Sequence, residues 1–315
     1  MKIVLDLTKL VAEGKLTTAQ AEELQALARP STGLLAINIL MAFGVFAIAG
    51  GCLALVPSVI TAIALGVVLA GVGVAISLGV SAQWSLLGTA ITIAGALIAS
   101  AGIVALSEGQ WFGFAIATAV LLGLAVAIRS ALLSALAVLT LAGMLGSSTG
   151  YDFATYFVGV QEPAITIAVF SLLALATYLI SLRVPAGYAP LALGFSRLSL
   201  VMVNFGFWIG SLWGDKPGHS WRTSADTWGL NIPDYVFVIG WANALVGVGI
   251  WAARANRRFV VNTVATFGAI HFYTQWFERL GADPLTVLGA GVLVVAIAVG
   301  LWRYNVMMGR AQAIA

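Results

Sequence analysis

Long apolar stretches separated by short polar segments make up most of the chain. Charged residues lie at the ends of these stretches rather than inside them, as segments that cross a lipid bilayer require. We place ten spans near residues 34–56, 59–80, 86–106, 112–128, 131–146, 164–182, 198–213, 235–253, 259–277 and 285–302. The pattern therefore predicts an all-α integral membrane protein with ten transmembrane helices.

The basic residues set the orientation of these spans, because loops rich in Lys and Arg stay in the cytoplasm. With the N-terminus inside, twelve basic residues are cytoplasmic: Lys2, Lys9, Lys15, Arg29, Arg129, Arg183, Arg197, Arg254, Arg257, Arg258, Arg303 and Arg310. Only Lys216, Arg222 and Arg279 fall outside. Eight of the twelve acidic residues fall on that outer side: Glu108, Asp152, Glu162, Asp215, Asp226, Asp234, Glu278 and Asp283. We expect a bacterial inner-membrane protein with both termini in the cytoplasm and an acidic outer surface.

Arg129 decides the number of spans. A continuous helix from Phe112 to Gly146 would leave Arg129 in the membrane and would move every later loop to the other side. The asymmetry of the basic residues would then vanish. The sequence therefore favours two short spans that meet at Arg129.

Composition supports a membrane protein and argues against several other classes. Hydrophobic residues make up 61% of the chain and charged residues 9%, with a mean hydropathy of +1.03. The pI of about 9.2 does not indicate nucleic-acid binding, because the basic residues are scattered along the chain and form no dense patch. The single cysteine, Cys52, excludes an internal disulfide.

Two domains are expected. Residues 1–30 form a cytoplasmic amphipathic helical hairpin, in which Gly14 ends the first helix and Thr17 with Gln20 forms a capping box for the second. Residues 31–315 form the transmembrane domain, with an outer loop at 214–234. The hairpin is too small for an independent core, so it should rest on the membrane, on its own transmembrane domain or on a partner.

Both ends of the chain carry a resemblance to a known family. The run Leu7-Thr8-Lys9-Leu10-Val11-Ala12-Glu13-Gly14-Lys15-Leu16-Thr17-Thr18-Ala19-Gln20-Ala21 precedes the apolar spans, and Arg257-Arg258-Phe259-Val260-Val261-Asn262 is followed by His271-Phe272-Tyr273 and Phe277-Glu278. Together they resemble the bacterial predicted membrane proteins called domain of unknown function 2157. The match covers about a third of the chain. It implies an inner-membrane location and a polytopic architecture, and it supplies no catalytic residues.

Three consecutive spans carry polar side chains in their outer halves. His271 lies about 9 Å below the outer end of the ninth span, and Asn243 and Asn204 lie about 12–14 Å below the ends of the eighth and seventh. On the ninth span, Gln275 and Glu278 share a helical face with His271 that leads to the surface. These five residues are candidates for ligand binding or proton relay in an outward-facing pocket. The alternative is structural, since such side chains commonly hydrogen-bond between membrane helices.

The outer loop and the glycine pattern add further candidates. The loop contributes Asp215, His219, Arg222 and Asp226 as possible recognition residues, because long loops often carry function. Gly206, Gly210 and Gly214 form a ridge of small residues on the seventh span, which is typical of helix packing within the chain or, less often, of a homodimer face.

No catalytic motif is evident in the sequence, so we expect neither an enzyme nor a bound cofactor or metal. Two function classes remain. The first is a non-catalytic accessory, scaffold or sensory membrane subunit that meets a protein partner through the hairpin or the outer loop. The second is a small-molecule transporter or channel with a polar pocket in spans seven to nine. A carrier needs a hydrated cavity at the depth of His271, whereas a scaffold can be packed solid there. The sequence leaves the oligomeric state and any ligand open.

Overall fold

The computed structural model of the chain describes residues 10–11, 14–20, 32–79, 82–152, 155–218, 230–281 and 283–314. Its helices are α1 (Thr32–Leu55), α2 (Val59–Gly79), α3 (Ser85–Leu106), α4 (Trp111–Ile128), α5 (Ala131–Met144), α6 (Pro163–Ser181), α7 (Ala189–Trp213), α8 (Asp234–Arg254), α9 (Arg258–Leu280) and α10 (Pro284–Ile314). A single 3₁₀ turn, Ala82–Trp84, precedes α3. The predicted all-α architecture is confirmed. Each of these helices overlaps one predicted span, but α7 begins at Ala189 rather than near 198, and α10 continues to Ile314 rather than ending near 302.

Seven of these helices, α1–α4 and α6–α8, are long and apolar enough to cross a membrane. Helix α5 has 14 residues, or about 21 Å, which is short for a hydrocarbon core of about 30 Å. Helix α9 is long enough but carries more polar residues, and the apolar part of α10 is the shorter segment Pro284–Gly300. The fold thus establishes a helical chain with seven candidate spans among the described residues.

The helix break predicted at Arg129 is confirmed. Arg129 has left-handed backbone angles, with φ 53° and ψ 43°, and ends α4. Ser130 then caps α5, since its hydroxyl accepts a hydrogen bond from the N–H of Leu133 at 3.4 Å. The guanidinium of Arg129 lies 5.1 Å from the centre of the Tyr188 ring, beside the connection between α6 and α7. The chain therefore reverses at Arg129 and does not carry this charge through a continuous helix.

One element was not predicted. Between α5 and α6, strands β1 (Ser147–Asp152) and β2 (Thr155–Val160) form an antiparallel hairpin, in register from Ser147 opposite Val160 to Asp152 opposite Thr155. The segment is rich in Thr, Tyr, Phe and Val, which are the residues that favour strands. The predicted spans 131–146 and 164–182 flank this segment, and no structure was assigned to it.

The main hydrophobic core is formed by α3–α7, and α7 is its central helix. Short α5 is embedded in it, with Leu133, Ala137 and Val138 fully buried. A second cluster joins Trp241 and Leu245 of α8 to Phe267 of α9 on another side of α7. Helix α10 contacts mainly α9, so it lies at the edge of the bundle.

Small residues allow close approach between helices within the chain. A side chain at Gly66 or Gly73 of α2 would overlap the backbone of α3, which is consistent with the extensive contact between these helices. On α7, a β-carbon at Gly206 would lie 2.9 Å from Ile167 of α6, and one at Gly210 would lie 2.6 Å from Phe237 of α8. Two members of the predicted glycine ridge therefore pack against neighbouring helices of the same chain.

Charge divides the described part of the molecule into two ends. Consecutive helices joined by short connections run in opposite directions, which fixes the end at which each connection lies. The acidic end carries Glu108, Glu162, Asp215, Asp234, Glu278 and Asp283, and the basic end carries Arg129, Arg183, Arg197, Arg254, Arg257 and Arg258. At the basic end, the described residues include no Asp or Glu. The charge separation expected from the sequence is therefore present in the fold.

The described part of the N-terminal hairpin has the predicted caps. The N–H of Lys15 bonds to the carbonyl of Leu10 at 2.9 Å and that of Gly14 to Val11 at 3.0 Å, with a φ of 67° at Gly14. These two bonds form the expected C-terminal cap. Thr17 and Gln20 exchange hydrogen bonds, Thr17 N to Gln20 Oε1 at 3.0 Å and Gln20 N to Thr17 Oγ1 at 3.3 Å, as a capping box requires. The rest of segment 1–30 lies outside the described residues.

Candidate functional site

The predicted polar layer of α7–α9 is built around Trp241. This indole is fully buried on α8 (0% exposed), and its Nε1 donates a hydrogen bond to Oδ1 of Asn204 at 2.9 Å. The amide Nδ2 of Asn204 in turn donates to the carbonyl of Leu200 at 2.8 Å. The ring of His271 contacts the same indole edge-on, with centroids 4.7 Å apart, and Phe207 stacks on it at 6.4 Å. Two of the three predicted residues, Asn204 and His271, therefore converge on one tryptophan.

The predicted polar face of α9 connects this layer to the acidic end. His271 is half-buried, and its Nδ1 has no hydrogen-bond partner in the described part of the chain. One turn further, Thr274 accepts a hydrogen bond from Nε1 of Trp208 at 3.1 Å. Gln275 is half-buried with an unpaired Nε2, and Glu278 is exposed. The face thus leads from a packed interior to the surface, as its spacing predicts.

Asn243 is not part of this layer. It is exposed on α8, and its Nδ2 donates to the carbonyl of Ile239 on its own helix at 3.0 Å. The buried stripe of α8 follows Phe237, Trp241 and Leu245, so Asn243 lies on another face. Depth along the helix was predicted from sequence, whereas the direction of the side chain depends on which face the neighbouring helices cover.

A second polar arrangement lies at the acidic end, where two buried carboxylates join separate segments. Asp215, 7% exposed, follows α7, and its Oδ2 accepts the N–H of Ala164 at the start of α6 at 2.8 Å. Glu162, 0% exposed, precedes α6, and its Oε2 accepts the N–H of Gly218 at 2.8 Å. We call these reciprocal bonds the carboxylate latch. It fixes the beginning of the outer loop to the beginning of α6, where the helix dipole favours negative charge.

Backbone contacts close the base of the outer loop. Asp215 and Ile232 exchange two backbone hydrogen bonds, of 2.8 and 2.9 Å, so the two ends of the loop are paired. Gly214 has a φ of 69°, a region that favours glycine, and it makes the turn out of α7. The candidates His219, Arg222 and Asp226 lie outside the described residues. Of the four loop candidates, Asp215 alone can therefore be placed.

The pKa of Asp215 is raised above its ordinary value of 3.8, mainly because burial disfavours the charged carboxylate. The N–H of Ala164 acts in the opposite direction and lowers this pKa, the negative charge of Glu162 raises it further, and the N–H of Lys216 lowers it. The folded chain therefore binds a proton at Asp215 more readily than an exposed aspartate would. This makes the latch a titratable feature of the acidic end.

A cavity of about 280 Å³ lies on the α5–α6 side of α7. It is bounded by α5, the β-hairpin, α6 and α7, and its lining residues are Leu139, Ala142, Ser147, Ser148, Gly159, Val160, Thr166, Met202 and Phe205. Its surface is mostly apolar, and none of its lining residues is charged. A cavity of this composition suits a small neutral molecule with a polar group rather than an ion.

Thr166 is the unusual residue of this cavity. Its side chain is 0% exposed, yet its hydroxyl has no hydrogen-bond partner among the described residues. Other helical threonines bond to the carbonyl four residues earlier: Thr92, Thr118, Thr177 and Thr263. The methyl of Thr166 lies against Gly206 of α7, a contact that fixes this side chain. A second lining hydroxyl, that of Ser147, is also buried and unpaired.

The described residues include no group of three or more His, Cys, Asp and Glu side chains that could hold a metal ion. The polar groups described above are hydroxyl, amide and carboxyl groups and the imidazole of His271, all of which can form hydrogen bonds. The latch can change its protonation, and the cavity can accept a small molecule.

Sequence reasoning missed three of these residues. Trp241 could have been found from the i, i+4, i+8 spacing with Phe237 and Leu245, which predicts the buried face of α8. Glu162 directly precedes Pro163, a common first residue of a helix, so its position at the start of α6 was readable, but its side chain bonds to Gly218 and does not cap that helix. Nothing in the sequence marks Thr166, because what distinguishes it is that its buried hydroxyl makes no hydrogen bond to any described residue.

Together these features are those of a multi-pass, mainly helical membrane protein, with seven candidate spans and one β-hairpin among the described residues and a polar site at its acidic end. Comparisons with protein families, with curated proteins and with solved structures give no match to this chain.

Proposed function

We propose that the chain is a non-catalytic accessory, scaffold or sensory subunit of the bacterial inner membrane. In this proposal all ten helices are embedded in the membrane, both termini are cytoplasmic, and the acidic end faces outward. Partners meet the protein at the outer loop or through the N-terminal hairpin. The resemblance to domain of unknown function 2157 agrees with this location and supplies no activity.

The packing of the α7–α9 layer carries the proposal. A carrier with a pocket at this depth needs space around Asn204 and His271. Here Asn204 is bonded to Trp241, and aromatic rings surround that indole. The hydrogen bond between Asn204 and Trp241 joins α7 to α8, which is the role expected of polar groups in a scaffold, although Nδ1 of His271 and Nε2 of Gln275 are buried without a partner among the described residues.

A small-molecule transporter or channel is the second candidate, and the cavity beside Thr166 favours it. That cavity lies between α5, α6 and α7 rather than in α7–α9. Its apolar walls and unpaired hydroxyls fit binding of a neutral ligand from the acidic end. Movement of the carboxylate latch would then open or close the site.

Cysteine accessibility separates the two functions. In a Cys52→Ala background, Thr274→Cys tests the α9 face leading to His271, and Ala142→Cys tests the cavity. Lys216→Cys, at an exposed position, serves as the control. Each variant is treated in intact cells with a membrane-impermeant maleimide, and the labelling rates are compared.

The scaffold proposal expects rapid labelling at position 216 and labelling at least about tenfold slower at 274, because a packed interface excludes water and reagent. Labelling at 274 as fast as at 216 would reveal an aqueous path and would favour transport. Rapid labelling at 142 alone would favour ligand binding in the cavity. Absence of labelling at 216, with labelling after permeabilisation, would reverse the proposed orientation.

A further inference from the structure

The basic end contains one arginine that differs from its neighbours. Arg129, Arg183, Arg197, Arg254 and Arg257 are exposed, whereas Arg258 is half-buried. Its Nε and Nη2 atoms are buried and make no hydrogen bond to any described residue. Burying a charged group without a partner is costly, so such a guanidinium is expected to be matched by an anion.

The two unpaired nitrogens lie on the same edge of the guanidinium. Nε–H and the adjacent Nη2–H point in parallel and form the fork that binds two oxygens of a carboxylate or phosphate. A planar fork discriminates between ligands better than a lysine ammonium, which acts as a point charge. The unsatisfied atoms of Arg258 thus have the geometry for one tetrahedral or planar oxyanion.

Neighbouring arginines increase the positive potential without occupying the fork. The guanidinium of Arg197 lies 5.1 Å from the centre of the Phe259 ring, and that of Arg257 lies 5.4 Å from the Tyr178 ring. Aromatic contacts hold both cations near the start of α9 and leave their charge uncompensated. Since the described part of the basic end has no carboxylate, an anion from outside the described chain is the fitting partner.

The start of α9 also favours the binding of an anion. Helix N-termini favour negative charge, yet α9 begins with Arg257 and Arg258 and has no acidic residue in its first turn. The capping residue, Arg257, makes no side-chain hydrogen bond to the first-turn amides. A phosphate at this position would be attracted by the helix terminus and by the arginines together.

The position of this cluster in the fold decides the source of the anion. It lies where α6 and α8 end and α9 begins, at the limit of their apolar segments. In the proposed membrane topology this level is that of the lipid headgroups. The exposed Trp251 of α8 contacts Tyr178 edge-on at 6.4 Å, as expected of aromatic residues at a membrane interface. We infer that Arg258 and the surrounding arginines form a specific site for the phosphate of an anionic phospholipid.

The test measures lipid binding by the purified full chain in detergent. Phosphatidylglycerol and phosphatidylcholine with identical acyl chains are titrated separately, and bound lipid is counted by native mass spectrometry. Inorganic phosphate is added as a competitor, because a soluble phosphate would use the same fork. The variants are Arg258→Met and Arg258→Lys, with Arg183→Met as a matched exposed control at the same end.

Wild type should bind phosphatidylglycerol more tightly than phosphatidylcholine, whose choline would be repelled by the arginines. Arg258→Met should weaken phosphatidylglycerol binding about tenfold, consistent with loss of charged hydrogen bonds. Arg258→Lys keeps the charge and loses the fork, so binding should weaken severalfold. Arg183→Met should stay within about twofold of wild type, because an exposed charge adds only general attraction.

Wild-type affinity in both Arg258 variants, or equal binding of the two lipids, would overturn the proposal. Displacement of phosphatidylglycerol by equimolar inorganic phosphate would also overturn it and would assign the fork to a soluble phosphate. If Arg258→Met does not fold, as judged by its thermal unfolding in detergent, the Arg258→Lys result decides. None of these outcomes depends on the proposed function at the acidic end.

Discussion

Helix α7 borders two interfaces that differ in how completely they are filled. Toward α8 and α9, Asn204 is hydrogen-bonded to Trp241, and the rings of Phe207, Phe267 and His271 lie against that indole. Toward α5 and α6, the same helix borders a cavity in which the hydroxyl of Thr166 has no partner among the described residues. Asn204 thus joins two helices through its hydrogen bond, whereas the buried hydroxyl of Thr166 makes none to the described residues.

This difference indicates where the molecule can respond to its surroundings. Helices in lipid associate through close packing and hydrogen bonds rather than through the hydrophobic effect, so the filled interface should be the rigid one. On the other side, the carboxylate latch joins the segment after α7 to the start of α6, and burial raises the pKa of its Asp215. Response to a ligand or to pH is therefore expected between α5, α6 and α7, while α7–α9 provides a stable support.

The largest expected effect comes from opening the filled interface. Trp241→Ala removes a fully buried ring and its hydrogen bond to Asn204, and we expect a loss of about 3 to 5 kcal/mol in the free energy of unfolding. Trp241→Phe keeps most of the packing and should cost about 1 to 2 kcal/mol, mainly because Asn204 loses its donor. Reversible unfolding in mixed detergent micelles measures both changes.

Trp111→Ala is the matched control, since Trp111 is 63% exposed. It should cost less than about 1 kcal/mol, as expected of a substitution outside the core. Equal losses at positions 111 and 241 would contradict the view that α7–α9 is the rigid region.

An intermediate effect is expected at the latch. Asp215→Ala removes the acceptor of the Ala164 N–H and should cost about 0.5 to 2 kcal/mol, as for the loss of a helix cap. Asp215→Asn keeps an acceptor and removes the charge, so at neutral pH it should be close to wild type or more stable. Hydrogen exchange at residues 214–218 measures the stability of this segment directly, and Lys216→Ala provides an exposed neighbouring control.

The pH dependence of the latch follows from the raised pKa of Asp215. A carboxyl group whose pKa is higher in the folded state binds a proton on folding, so its favourable contribution is lost as the pH rises through that pKa. Wild type should therefore gain stability relative to Asp215→Asn as the pH falls from 7, and the full gain should be present below 3.8. A difference between the two proteins that does not change with pH would show that Asp215 does not titrate in this range.

The sequence predicted the helices well because each apolar stretch ends at a charge, a glycine or a proline with a local cause. The break at Arg129 and the capping box of Thr17 and Gln20 depend on neighbouring residues, and both are confirmed. The prediction for α7–α9 assigned a depth to Asn204, Asn243 and His271 from their positions along the helices and could not identify their faces. Those faces depend on helix rotation, which is set by the aromatic contacts of Trp241.

The cavity and the latch were beyond sequence reasoning for a similar reason. Glu162 and Asp215 are 53 residues apart in the chain, and their reciprocal bonds require α6 and α7 to begin and end at the same level. The hairpin that covers the cavity has a readable strand composition, but nothing local indicates the space beneath it. Most of the features that could not be predicted from the sequence therefore depend on contacts between residues that are far apart in the chain.

The smallest expected effect is also the most informative about the cavity. Thr166→Val replaces an unpaired buried hydroxyl with a methyl group of similar shape, so stability should be unchanged or should rise by up to about 1 kcal/mol. Thr118→Val is the matched change at a satisfied hydroxyl, which bonds to Phe114 and Thr140 at 2.8 Å each. The free energy of unfolding of Thr118→Val should be lower than that of wild type by about 0.5 to 1.5 kcal/mol. A similar loss at both positions, measured by unfolding in micelles, would mean that Thr166 has a partner in solution, such as water or a bound molecule. The two sides of α7 would then differ in whether a water or another molecule is bound, and not in how closely the helices pack. The cavity would become the leading candidate for a ligand site.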